Sequence, residues 1–315
     1  MKNLSAKLIL FPLTIALFFI VSGCSSIFGR TDTAPKNVYK NFISTDIDDS
    51  ENTDYADFVY ASNTGNTVSV VSSFWITDGT SKSQASVVQS GIILNKDGYV
   101  LTHVSSAYAY STECQSVYAI LSPIYKDNTK YKLELVDYNT DAGLALFVFY
   151  NHFYYYENES KDTLQEGFQF TPVLSKNDIK TGERCVVIGN ALGDFSLYGN
   201  DLLIKEQMVT SGIVSDSAAD GQIFEQSFNG TQYEYLQISA AANPETIGGG
   251  VFDENGYMIG ILATKVISTS DNSGNSYLNK TSLVSGTTLI IDYINYVSEK
   301  TETVIQIEVA VKQSV

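Results

Sequence analysis

The feature that most constrains this chain is a succession of short β-type segments that begins near Thr67 and continues almost to the end. TVSVVSSFWI, SGIILNKDGYVLT, KLELVDY, LALFVFY, ERCVVIGN, EQMVTSGIVS, EYLQIS and GGVFDENGYMIGILATKV are rich in Val, Ile, Tyr and Phe, and clusters of Gly, Asn, Asp and Ser divide them. β-branched and aromatic side chains suit a half-buried pleated surface, and many short strands at this spacing bury a core as a sandwich or a barrel. The chain therefore reads as all-β. One late segment, TTLIIDYINYVSEK, breaks the pattern: Leu289, Ile290, Tyr293, Ile294 and Val297 fall on one helical stripe. Asp97-Gly98 and Asn255-Gly256 lie in two similar pieces, NKDGYVLT and DENGYMIG, and predict tight type I′ hairpins, because both dipeptides tolerate positive φ. Their likeness points to two related β units.

The 315 residues, 44% of them hydrophobic, suffice for one large domain or two small ones. Residues 1–23 read as a secretory signal peptide, with Lys2 and Lys7 ahead of the apolar run LILFPLTIALFFIV and small residues before Cys24. That run of 14 residues is short of the about 20 that span a bilayer. Residues 24–63 are polar and acidic and read as an irregular tether. Within them Asp46, Asp48, Ser50, Asn52, Asp54 and Asp57 fall at the ligand spacings of a calcium loop. Glu51, however, stands where such a loop turns on glycine, and a solvated linker is the better reading.

A formal charge of −16 argues against nucleic acid as a partner, which requires concentrated positive charge. With His103 and His152 as the only histidines, no zinc-type cluster can be written, and no cofactor is expected. Beyond Cys24, the chain has Cys114 and Cys185. A disulfide between them is permitted outside the cytoplasm, but two buried free thiols are the better reading.

VSGC resembles the lipobox of bacterial lipoproteins. The resemblance implies cleavage before Cys24, acylation of that cysteine and an extracytoplasmic protein tethered to the cell membrane, since two or more acyl chains anchor stably. SGIILNKDGYVLT (90–102), GLALFVF (143–149), GERCVVIGN (182–190), VTSGIVSD (209–216) and AAANPETIGGGVFDENGYMIGI (240–261) resemble, in order and spacing, the protease domain of the HtrA/Deg serine proteases. That resemblance implies a trypsin-like double β-barrel: two six-stranded antiparallel barrels, over 64–165 and 166–300, with a C-terminal helix closing the second. The tail 301–315 is too short for the peptide-binding PDZ domain usual in that family.

The family's chemistry needs a serine nucleophile, a histidine base, an aspartate that orients it and backbone N–H groups for the oxyanion. Matched without gaps, the family's NPGNSGGP becomes NPETIGGG, which puts Ile247 at the serine and Glu245 at the glycine that supplies an oxyanion N–H. An alkyl side chain has no lone pair with which to attack. The histidine position falls on Ser105, with His103 two residues earlier, about 6.6 Å along a strand. The family's DLAL matches GLAL, so Gly143 stands at the aspartate and Asp141 two residues before it.

The resemblance thus implies a binding or scaffolding pseudoprotease with a possible protein or peptide partner. A serine endopeptidase with a displaced site built from His103, Asp141 and a hydroxyl such as Thr246 is the alternative. His103 Nε2 within hydrogen-bond reach of a Ser or Thr hydroxyl would weigh toward that alternative. The aromatic run NHFYYYENES (151–160) is a candidate contact surface, or a last strand or link of the first barrel.

Overall fold

The computed structural model describes residues 54–78, 80–107, 114–121, 130–150, 168–190, 195–198, 201–204, 207–217, 225–265, 269–270, 276–277 and 282–312. The signal peptide, Cys24, the calcium-like spacing up to Asn52 and the aromatic run 151–160 lie outside them. Strands β1 (Thr67–Asp78), β2 (Ser81–Ile93), β3 (Tyr99–His103), β4 (Cys114–Leu121), β5 (Lys130–Asn139) and β6 (Leu144–Phe149) close a barrel in the order β1-β2-β3-β6-β5-β4. Every neighbouring pair is antiparallel. Val68, Val70, Val100, Val117, Leu133, Phe147 and Phe149 fill its interior, and β6 is buried along its whole length.

After β7 (Val173–Leu174), a second ring is built from β8 (Arg184–Asn190), β11 (Gln207–Asp216), β14 (Leu236–Ile238), β15 (Gly250–Asp253), β16 (Met258–Lys265) and β19 (Ser282–Gly286). Its order is β15-β8-β11-β14-β19-β16, and the β15–β16 hairpin closes it. Three two-stranded hairpins stand apart from the ring: β9 (Phe195–Tyr198) with β10 (Asp201–Ile204), β12 (Glu225–Phe228) with β13 (Thr231–Glu234), and β17 (Thr269–Ser270) with β18 (Ser276–Tyr277). Two six-stranded antiparallel barrels are thus present, as expected.

The two Asx-x-x-Gly-Tyr turns depart from the expected type. Gly98 and Gly256 have φ of 79° and 83°, but neither Asp97 nor Asn255 is among the residues with positive φ. Each turn instead carries an i to i+3 backbone bond, Gly98 N–H to Asn95 O and Gly256 N–H to Asp253 O. The leading side chain fixes it: Asn95 Oδ1 accepts from Asp97 N–H at 3.0 Å, and Asp253 Oδ1 from Asn255 N–H at 3.0 Å and Tyr257 N–H at 2.9 Å. A short polar side chain that holds its own backbone two residues on removes the need for a second left-handed residue.

The tether is also not irregular throughout. Its last part forms helix α1 (Tyr55–Asn63), with Asp54 as N-cap accepting from Ala56 N–H. Asp54 thus acts as a cap, a role that Asp favours because it satisfies an orphan donor. Val59 and Asn63 are buried, and Asn63 Nδ2 donates to Gly256 O in the second barrel at 3.1 Å. The C-terminal helix α2 (Thr287–Thr301) forms where expected, and all five stripe residues are buried. It reaches the first barrel through Lys300 Nζ, 2.6 Å from Asp137 Oδ1 on β5, and through Tyr293 Oη, 3.3 Å from Asp137 Oδ2. Part of the tail is ordered as β20 (Val309–Ala310), parallel to β7 at the edge of the second sheet. Both barrels and both helices lie within one unit, Asn37–Val315.

Candidate functional site

Four segments converge between the barrels: the end of β2, the 3-10 turn Val104–Ser106 after β3, the turn before β6 and the loop 243–249. Ser90 is their junction. Its N–H donates to Ile247 O at 3.0 Å, and its carbonyl accepts from Thr102 Oγ1 at 2.6 Å. Its hydroxyl donates to Glu245 O and accepts from Asn190 N–H, both at 2.8 Å. One small side chain on β2 therefore joins the first barrel to the loop 243–249 and to β8 of the second.

The loop itself is a single capped 3-10 turn, Pro244–Thr246. Asn243 Oδ1 accepts from Glu245 N–H and Thr246 N–H, each at 2.9 Å. Thr246 Oγ1 donates to Asn243 O at 2.7 Å and accepts from Asn243 N–H at 2.9 Å. Ile247 N–H turns back to Pro244 O at 3.4 Å. Gly248 follows with φ 85°, and a Cβ there would lie 2.2 Å from Ser90 O. At Gly249 a Cβ would lie 2.5 Å from Ile188 O. These two glycines let the loop backbone press against both barrels, which no other residue permits.

On the first-barrel side, His103 ends β3 and caps the turn. Its Nδ1 accepts from Ser105 N–H at 3.3 Å and lies 2.6 Å from Ser105 Oγ. A ring nitrogen that accepts from a backbone N–H is unprotonated, so the neutral ring carries its proton on Nε2. Burial lowers the His103 pKa to about 4. Gln89 Oε1 accepts from Ser105 Oγ at 2.8 Å and from Ser106 Oγ at 2.6 Å. Ser105 has one hydroxyl proton, which serves Gln89 or His103 but not both at once.

Asp141 is exposed at the tip of a turn closed by Ala142 N–H to Asn139 Oδ1 at 2.8 Å. Among the described residues, no hydrogen bond links Asp141 to His103. Gly143 is buried with φ 65°, and its carbonyl accepts from Val104 N–H at 2.9 Å, tying this turn to the one that holds Ser105. Positions 105, 143 and 247 are thus brought into one neighbourhood, while Asp141 stays apart from it. Thr246 is fully buried with its hydroxyl engaged, and Ile247 packs against the second-barrel core. Glu245 Oε2 is buried without a hydrogen-bond partner.

Sequence reasoning missed Gln89, Ser90, Asn190 and Asn243. Polar residues at strand ends carry no periodic signal, and their partners lie as far as 155 residues away. Cys185 is a free, buried thiol, its pKa pushed up to about 12 by burial. Among the described residues, no group of His, Cys, Asp and Glu could hold a metal ion, and no helix is long and apolar enough to cross a membrane.

The chain is similar to known proteins. It is 24% identical over 229 residues to the serine protease Do-like HtrA of Lactococcus lactis subsp. lactis, a match covering 72% of this chain and 46% of that protein. It is 27% identical over 200 residues to a probable periplasmic serine protease do/HhoA-like of Haemophilus influenzae, covering 62% and 34% respectively. The matches thus span less than half of either relative. Among solved structures, the HtrA-type protease AlgW with a decapeptide superposes with a TM-score of 0.54 at 18% identity, covering 78% of this chain and 68% of that one. The model of the trypsin-like peptidase domain matches residues 89–261, more than half of the sequence and the whole span from Gln89 to the β16 strand that closes the second barrel. The chain belongs to the trypsin-like peptidase domain family.

Proposed function

We propose that the chain is a pseudoprotease: a trypsin-like domain that binds or scaffolds a protein or peptide without hydrolysing it, held outside the cytoplasm by acylated Cys24. The carrying observation is the inward folding of the loop 243–249. Aligned to the family's motif, the N–H groups of Glu245 and Ile247 are the oxyanion donors, and both are directed to acceptors inside the turn, Asn243 Oδ1 and Pro244 O. Transition-state stabilisation needs such donors preorganised and aimed at the developing charge. Ile247 supplies no nucleophile, Ser105 no base, and Gly143 no carboxylate. The occupied backbone donors extend the loss beyond these three side chains.

The full chain is expected to leave casein intact and to show no labelling by a fluorophosphonate probe. An isoleucine cannot form the covalent adduct, so the result does not depend on finding a substrate. One observation favours the second reading, a displaced active site: the 2.6 Å contact between His103 Nδ1 and Ser105 Oγ. Against it stand the exposed position of Asp141 and the competing acceptor Gln89 Oε1. Labelling confined to Ser105 and lost in His103→Gln would establish this second reading and end the first.

The anchor rests on the sequence VSGC at residues 21–24, and the relative named periplasmic supports a site beyond the cytoplasm. Metabolic fatty-acid labelling is expected in the wild type and absent in Cys24→Ala. Equal labelling of the two would refute the acylation site.

A further inference from the structure

Away from the loop 243–249, a cavity of ≈ 370 Å³ lies between the second barrel, the β12–β13 hairpin and the first turns of α2. It shares no residue with the site described above. Three features of its lining call for an anionic group. The 15-residue helix α2 starts at the cavity with Gly286 as N-cap, and no side chain caps it, so its first N–H groups lack the usual partner. Thr287, at the first helical position, lines the cavity and is 1% exposed, and its Oγ1 has no hydrogen-bond partner. Lys176 adds a positive charge to the same wall system.

The missing cap is not forced by space. A Cβ at Gly286 would meet Leu236 Cγ at 3.5 Å, an ordinary contact, and no positive φ requires glycine there. A helix start left open beside a cavity, with a buried hydroxyl unsatisfied next to it, is the arrangement that receives a carboxylate or phosphate.

The rest of the lining narrows the chemistry. Asp292 and Glu234 also face the cavity, with Asp292 Oδ2 accepting from Tyr233 Oη at 2.8 Å. Two carboxylates against one lysine disfavour a plain dianion and offer a counter-charge to an ammonium group. Thr288 and Asp292 are four residues apart, hence on one helix face about 6 Å apart along the axis. Two extended residues span about 7 Å. Leu236 and Leu289 add apolar lining.

We propose that this cavity binds a small zwitterion of dipeptide size, its carboxylate on the open start of α2 near Lys176 and its ammonium against Asp292 and Glu234. Nothing in this proposal depends on whether the interbarrel site hydrolyses peptides.

Calorimetric titration of the full chain with alanyl-leucine tests it, with N-acetyl-alanyl-leucine, alanyl-leucinamide and inorganic phosphate as comparison probes. Alanyl-leucine is expected to bind saturably, and each blocked form at least tenfold more weakly, because each lacks one of the two charges. Gly286→Asp supplies an internal cap and a like charge, so it is expected to weaken alanyl-leucine binding at least tenfold while keeping or raising the melting temperature. That pairing separates loss of the site from loss of the fold. Thr287→Val is expected to weaken binding as well. Absence of saturable binding, equal affinity for phosphate or either blocked peptide, or unchanged affinity in folded Gly286→Asp would overturn the proposal.

Discussion

The two sides of the interbarrel junction are held by different means. On the second-barrel side, the loop 243–249 keeps its path through a local cap and close backbone packing: the Asn243 and Thr246 side chains cap the turn, and Gly248 and Gly249 fit against Ser90, Thr102 and Ile188. On the first-barrel side, the turn after β3 is held by side chains, with His103, Ser105 and Ser106 gathered around Gln89. The difference teaches that packing and chemistry separate cleanly at such a junction. Close backbone approach demands glycine whatever the loop does, whereas a triad residue is required only by the reaction. On the pseudoprotease reading proposed above, Ile247 is free to join the second-barrel core and Glu245 to stand at a glycine's place.

If that division is right, the glycine side should be the less tolerant. Gly248→Ala combines a φ of 85° with a Cβ 2.2 Å from a backbone oxygen that cannot swing away, and is expected to cost about 3–4 kcal/mol. Urea unfolding measures it; a cost below about 1 kcal/mol would break the comparison by showing that the loop is not pressed against β2.

The smaller effect lies on the side-chain side and depends on pH. Burial holds the His103 pKa near 4, below its ordinary 6.5, so the folded state favours the neutral ring. The unfolded chain binds the proton first as pH falls, so this contribution is complete above about pH 6.5 and is lost as pH drops toward 4. With allowance for partial exposure, about 2 kcal/mol is expected across that window. His103→Gln should flatten this part of the stability profile in urea titrations at pH 7 and pH 4.5. Identical slopes in the two proteins would show that His103 is not the buried, neutral acceptor of the first-barrel side.

The barrels were legible in the sequence because each strand declares itself locally, through β-branched and aromatic runs cut by turn residues. The stripe of α2 was equally plain, since Leu289, Ile290, Tyr293, Ile294 and Val297 all bury on one face. Helix α1 was hidden because it buries little, Val59 and Asn63, and begins at Asp54 within an acidic stretch that suggests solvation. The type I′ expectation failed because it weighed the Asp-Gly and Asn-Gly pairs and overlooked Asn95 and Asp253, whose side chains shape the turns. At the candidate site, the assignment of 105, 143 and 247 to the triad positions rests on the resemblance alone. The Gln89 and Ser90 networks were not legible, because a hydrogen bond between residues far apart in the chain leaves no local pattern.

The two helices have a consequence for how the chain is assembled. α1 precedes the first barrel yet bonds to Gly256 in the second, and α2 follows the second barrel yet ties Lys300 and Tyr293 to Asp137 in the first. Each helix reaches the barrel more distant from it in sequence, like the crossed ends of a lace. These bonds close loops of 156 to 193 residues, so the last of them cannot form until the chain has been made through Lys300. Bonds of such long sequence separation form late, because the chain between their partners must be made and ordered first.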